Sequence, residues 1–194
     1  MHDAIQHGVQ ALAAQNTATR DFTIFCAAVL VYLLGVAWVL VVVRRRVTLS
    51  LAAVGRLVVL GVLAYLLSKV LTHVIIDPRP YVVAHTHPLI PVAHDNGFPS
   101  DHTLLAAFLA TSLWWINRRL VLAFAVGALF VLLGRLGIGA HHTMDVLGSV
   151  VIAAVAALIA GALPLPAAWR APLLPTLVKV HVRRKATWTR PHDR

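Results

Sequence analysis

Residues Phe22 to Val43 read FTIFCAAVLVYLLGVAWVLVVV, an uncharged stretch that Arg44, Arg45 and Arg46 bring to an end. The hydrocarbon slab of a bilayer is about 30 Å thick and takes roughly 20 apolar residues as a helix, which satisfies its own backbone where lipid offers no partner. The stretch is therefore long enough to cross a membrane. Working outward, further apolar runs cover about 49–76, 100–116, 120–136 and 142–163. Arg56, Lys69 and His73 interrupt the first of these, and Asp77 and Pro78 close it, since proline removes a donor and breaks a helix. Asn117, Arg118 and Arg119 separate the next two, and Pro164 and Pro166 close the last. The expected fold is all-α: a polytopic transmembrane helix bundle of about five spans.

Composition agrees. The 194 residues are 59% hydrophobic and only 12% charged, with a mean hydropathy of +0.81, far more apolar than a soluble domain. No internal repeat appears, so one transmembrane domain is expected over residues 1–170, followed by a basic cytoplasmic tail over 171–194. The first 21 residues hold Asp3, Gln6, Gln10, Gln15, Asn16, Arg20 and Asp21, unlike a basic-headed signal peptide. Ile5, Val9 and Leu12 form one apolar stripe, which predicts an interfacial amphipathic helix over 1–21. Cys26 is the single cysteine and lies inside an apolar run, so an intrachain disulfide is excluded.

A net charge of +10 raises the question of nucleic acid, but in so apolar a chain the excess marks cytoplasmic loops and contact with anionic head groups. With five spans, the 44–46 triplet, Arg118, Arg119, Arg170 and the tail fall on one face, and together they hold twelve of the seventeen basic residues. This predicts a multi-pass membrane protein with a cytoplasmic C-terminus. Arg56 reaches the same face by snorkelling. Of the remaining cations, Lys69, Arg79 and Arg135 lie near the opposite ends of spans, where a charge beside lipid implies function.

Three segments converge on that outer face: Lys69 with Asp77-Pro78-Arg79-Pro80, then Phe98-Pro99-Ser100-Asp101-His102, then Arg135 with His141 and Asp145. The pattern resembles the type 2 phosphatidic acid phosphatase superfamily of lipid phosphatases, whose motifs are a Lys upstream of Arg-Pro, Pro-Ser-x-His, and Arg-x5-His-x3-Asp. The resemblance covers about residues 68 to 149. Within the superfamily, Asp-Pro-Arg-Pro-Tyr, Asn-Gly-Phe-Pro-Ser-Asp-His-Thr-Leu-Leu and the compact length resemble the bacterial undecaprenyl-diphosphatase branch associated with bacitracin resistance. The sequence departs from the superfamily pattern in three places. Asp101 stands where Gly is usual, Gly134 where Ser is usual, and Lys69 lies ten residues before Arg79, a longer gap than the pattern has.

Residue chemistry leads to the same class. A phosphate ester or anhydride is split in two easier steps if a neutral imidazole attacks phosphorus, and His141 suits that role. Asp145, one helical turn on, is expected to accept from the far imidazole nitrogen and fix the tautomer. Lys69, Arg79 and Arg135 would neutralise phosphate oxygens, and His102 would protonate the leaving oxygen. Ser100 is expected to cap a helix whose first N–H groups, near Asp101, face the anion. The cations supply the charge that magnesium supplies elsewhere, so no metal or other cofactor is expected. His85, His87 and His94 read as solvated loop residues, and His73 as a helix-face histidine. The rival readings are a phosphatase of another lipid phosphate, a small transporter and a noncatalytic membrane anchor.

Overall fold

Side-chain caps set several helix starts in the computed structural model, which describes residues 3–173. Asp3 Oδ1 accepts from the Gln6 N–H at 3.0 Å and opens α1 (Ala4–Ala13). Asn16 and Thr19 form a reciprocal capping box at the start of α2 (Thr17–Ala28), which α3 (Leu30–Arg45) follows. Ser50 caps α4 (Leu51–Val74) by accepting from Ala53 N–H. A short α5 (Pro80–Val83) lies in the long loop, and α6 (Asp101–Ile116), α7 (Val121–Gly137) and α8 (Thr143–Ala162) complete the bundle. Among the described residues there is no strand, so the all-α expectation holds. The basic tail from residue 174 lies outside the described residues.

The span count differs from the expected five. Three segments are long and apolar enough to cross a membrane, namely α4, residues Arg118–Gly137 and α8; a fourth is reached if α2 and α3 count as one span bent by 48°. The bend falls at Val29, within the uncharged stretch itself. Helix α6 has 16 residues, which at about 1.5 Å per residue makes roughly 24 Å, less than the hydrocarbon slab. It is the central post of the bundle and packs against α3, α4, α7 and α8. Enclosed by other helices, it has no need to match the bilayer by itself.

Helix α1, Ala4–Ala13, is shorter than the helix expected over 1–21, since Asn16 caps the start of α2. It docks on α7 through Gln6 and Ala13, which are buried, and leaves Ile5 and Leu12 59% and 58% exposed. The apolar stripe thus points away from the bundle.

Size is sorted inside out. Ala52, Ala64, Ala106, Ala110, Ala153 and Ala156 are buried, whereas Val36, Leu40, Val62, Leu122 and Leu158 are exposed. Small residues between helices and large apolar ones facing out are how bundles pack in lipid, where close backbone approach replaces a hydrophobic driving force. Trp38 Nε1 donates to Ser112 Oγ at 2.8 Å and ties α3 to α6.

Gly134 marks the closest approach. A Cβ there would meet Ala27 N at 2.5 Å and Cys26 C at 2.8 Å, both backbone atoms of α2 that cannot swing aside. The serine usual in the resembled pattern therefore has no room. Gly134→Ser is expected to cost about 1–3 kcal/mol through overpacking, read as a lowered midpoint of thermal unfolding in detergent; an unchanged midpoint would show that α2 yields freely.

Candidate active site

The loop over residues 77–100 is folded back by one side chain. Asn96 Nδ2 donates to the carbonyls of Thr72 and Ile75 at 2.9 and 2.7 Å, which satisfies the end of α4, and its Oδ1 accepts from Asp77 N–H at 2.8 Å. Gly97 N–H then donates to the Asp77 carbonyl at 2.8 Å. These bonds bring Arg79 and the Gly97 carbonyl over the hairpin that joins α7 to α8. That hairpin turns at Gly139, whose φ of 75° lies in the left-handed region, and Ala140 N–H closes on the Arg135 carbonyl.

His141 sits at the meeting point, 2% exposed. Its Nδ1 is 2.9 Å from the Gly97 carbonyl oxygen, which can only accept, so Nδ1 carries the proton. Nε2 is left with its lone pair, 3.2 Å from an Arg79 guanidinium nitrogen and 3.3 Å from one of Arg135. Burial, followed by the charges of Arg135 and Arg79, holds the imidazole well below its usual range, so it is neutral at neutral pH. A neutral ring with a bare Nε2 between two cations can attack phosphorus while both arginines hold its oxygens.

A cavity of about 330 Å³ opens over this nitrogen, and Arg79, Arg135, His141, His102 and Asp101 all line it. Of the residues singled out from sequence, these five come together. The other three do not reach the cavity. Lys69 is exposed on α4, 5.6 Å from the centroid of the Tyr65 ring. Ser100 stands at the start of α6 but makes no capping bond; fully buried, it accepts from Thr103 Oγ1, and its carbonyl accepts from Ser149. Asp145 lies behind His141: its Oδ2 is 3.4 Å from Nδ1 and accepts the His142 N–H at 2.8 Å. The Gly97 carbonyl, closer than Asp145, is the tight partner of the imidazole.

A scan against protein families matches residues 53–166 to the PAP2 superfamily. The chain belongs to the PAP2 superfamily. Its long apolar helices make it an integral membrane protein. Undecaprenyl-diphosphatase BcrC of Bacillus subtilis is 35% identical over 95 residues, 49% of this chain and 49% of that protein, so the match spans about half of each. Bacitracin transport permease protein BcrC of Bacillus licheniformis is 28% identical over 153 residues, 76% of this chain and 72% of that protein. Among solved structures, Aquifex aeolicus LpxE superimposes with a TM-score of 0.62 at 20% identity, covering 81% of this chain and 92% of that one. That likeness shows a shared PAP2 fold.

Several residues of this PAP2 site escaped the sequence reading. Asp95 takes both Nε and a terminal nitrogen of Arg79 on one carboxylate oxygen, at 2.9 and 2.6 Å, and is 64% exposed in its side chain. The Asp95-Asn96-Gly97 turn just before Phe98 was the available signal. Tyr32 of α3 lines the cavity and meets the His102 ring edge-on, with centroids 6.2 Å apart. Asp3 holds the start of α8 by accepting from Thr143 N–H and Oγ1 at 2.6 and 2.7 Å. Asp77 stands 3.9 Å from His142, and burial together with the neighbouring Asp145 carboxylate pushes its carboxyl above the usual range. His142, the neighbour of His141, thus belongs to a carboxylate cluster outside the cavity.

Asp95 competes with any anion for Arg79. An exposed ion pair is worth up to about 1 kcal/mol, so Asp95→Asn is expected to lower KM by up to about five-fold. Steady-state kinetics checks this; a raised KM would mean that Asp95 assists binding.

Proposed function

We propose that this PAP2 phosphatase hydrolyses undecaprenyl diphosphate to undecaprenyl phosphate and inorganic phosphate on the outer face of the bacterial cytoplasmic membrane. The observation that carries the reading is the bare His141 Nε2 between Arg79 and Arg135, at the floor of a cavity that also holds His102. His141 Nε2 attacks the terminal phosphorus, and the bond from that phosphorus to the bridging oxygen breaks. His102 gives its proton to that oxygen, which leaves on the lipid. Water then attacks the phosphohistidine, His102 takes the water's proton, and phosphate departs with Nε2 restored. Arg79 and Arg135 hold the charge that develops on the phosphoryl oxygens, and the amides at the start of α6 add to it. Asp145 and the Gly97 carbonyl keep the ring turned the right way. Lys69, Asp101 and Ser100 retain a proposed part around the phosphate, with Ser100 acting through the placement of α6.

The B. subtilis relative's name supports the diphosphate over other lipid phosphates. The B. licheniformis relative's name raises transport instead. Against transport stands the distribution of charge: the buried cations and the reacting imidazole share one end, while the buried middle of α6 and α8 is mainly alanine, leucine and serine. An ion path needs polar residues through the midplane.

The deciding experiment is phosphate release from undecaprenyl diphosphate by the purified protein in detergent with EDTA, beside phosphatidylglycerol phosphate, phosphatidic acid and a lipid A phosphate. Release undiminished by EDTA and fastest on the undecaprenyl lipid is expected. A faster reaction on another lipid would reassign the substrate, and loss of activity on chelation would overturn the metal-free mechanism.

A further inference from the structure

Among the described residues, the bundle end opposite the cavity is basic without acidic partners. Arg44, Arg45, Arg46, Arg56, Arg118, Arg119 and Arg170 all lie there, at the end of α3, the start of α4, after α6 and after α8. Every acidic residue among the described ones belongs to the catalytic end: Asp77, Asp95, Asp101 and Asp145 at the site, Asp3 against α8, and Asp21 on α2, where Thr23 packs on Gly137. Charge balance at the basic end must come from outside the described chain.

Two of these arginines are built into a shaped site. Arg56, in the second turn of α4, has its Nε buried with no hydrogen-bond partner. Leaving such a donor unpaired away from water is costly. The Arg118 guanidinium lies 4.7 Å from the centroid of the Trp114 ring and donates Nε to the Trp114 carbonyl at 3.3 Å, which holds it in place. Arg56, Arg118, Trp114 and Trp115 border two adjoining hollows. The first, about 290 Å³, has Ser50 and Asn117 in its wall; the second, about 710 Å³, runs along α6 and α8 over Ala157, Leu158 and Gly161. A cationic chamber that opens into an apolar trough fits an amphiphile with an anionic head and a hydrocarbon chain.

We propose that this is a binding site for an anionic phospholipid of the leaflet opposite the active site. Its phosphodiester sits between Arg56 and Arg118, and one acyl chain lies in the trough between α6 and α8, where Ala157 and Gly161 leave room. Indole rings at the rim suit the boundary between head groups and hydrocarbon. The length of α6, 16 residues or roughly 24 Å, separates this site from the catalytic cavity, so the proposal stands independently of the substrate assigned above.

The test places the full-length protein in phosphatidylcholine nanodiscs doped with phosphatidylglycerol brominated on its acyl chains, which quenches only nearby tryptophans. Brominated phosphatidylcholine serves as the neutral probe. Quenching by the anionic lipid should saturate at low mole fraction, and Arg56→Gln and Arg118→Gln should each need at least ten-fold more lipid. Arg56→Lys should recover part of the loss, and Arg45→Gln, which removes the same charge outside the hollows, should change it less than two-fold. Retained phosphatase activity in each variant reports folding. Equal quenching by the two lipids, or no effect of either glutamine variant, would overturn the site. An equal loss in Arg45→Gln would replace it with diffuse attraction. If inorganic phosphate displaced the brominated lipid at concentrations where chloride did not, the ligand would be a soluble anion and the lipid assignment would fail.

Discussion

His141→Ala is expected to lower kcat on the lipid phosphate by about 10⁴-fold or more, the scale of loss when the attacking group of a covalent mechanism is removed. The argument rests on what remains. Arg79, Arg135 and His102 still line the cavity, so the lipid still binds, but the imidazole nitrogen held between the two arginines is gone. KM should therefore move far less than kcat. Because His141 is 2% exposed and bonded to the Gly97 carbonyl, alanine also leaves a small void and an unpaired acceptor. His141→Gln keeps a donor for that carbonyl and separates chemistry from folding: it should be equally inactive with a thermal midpoint nearer wild type. Quenching the working enzyme in alkaline denaturant should trap a phosphoryl group that is stable to base and lost in acid in wild type, and none in either variant. Turnover near wild type in His141→Gln would end the nucleophile assignment.

Arg135→Gln should reduce kcat/KM by about 10²–10³-fold, as loss of a preorganised charged donor does. The side chain is 7% exposed, its Nε has no partner, and a terminal nitrogen faces His141 Nε2. It is a donor held ready for oxygens that arrive with substrate. The variant also moves the pH profile, and the sign follows from the charge. His141 reacts only when neutral, and its depressed pKa, due first to burial and then to Arg135 and Arg79, puts the acid limb of activity below the usual imidazole range. Removing the Arg135 charge raises that pKa, so the acid limb should shift to higher pH. A lower kcat/KM with an unmoved limb would mean that Arg135 serves the substrate alone.

How far these features could be read from sequence depends on whether a side chain or the backbone carries them. Arg135 and His141 were legible because one tight hairpin holds both, so their spacing is their geometry. His102 was legible from its place at the head of a helix. The Gly97 carbonyl was not, since an accepting backbone oxygen leaves no signature in residue type. The bend at Val29 was hidden because neither flanking residue is glycine or proline. The place of Lys69 outside the cavity was not legible, because helical spacing gives a face but not which neighbour the face meets. In α1 the apolar stripe was legible, but the burial of Gln6 was not, because the bonds from Asp3 to Thr143 that set the docking join residues far apart in the chain.

That contact joins positions 140 apart. At a synthesis rate of about 5–20 residues per second, a ribosome reaches Thr143 roughly 7 to 28 seconds after Asp3. Throughout that interval the carboxylate can cap α1 through the Gln6 N–H but has no partner on α8. The clasp closes only when α8 has been inserted, and it closes directly beside the hairpin that bears the reacting imidazole. The segment around Asp3 thus waits for the last part of the catalytic core, and a chain interrupted between the two is left with this clasp open.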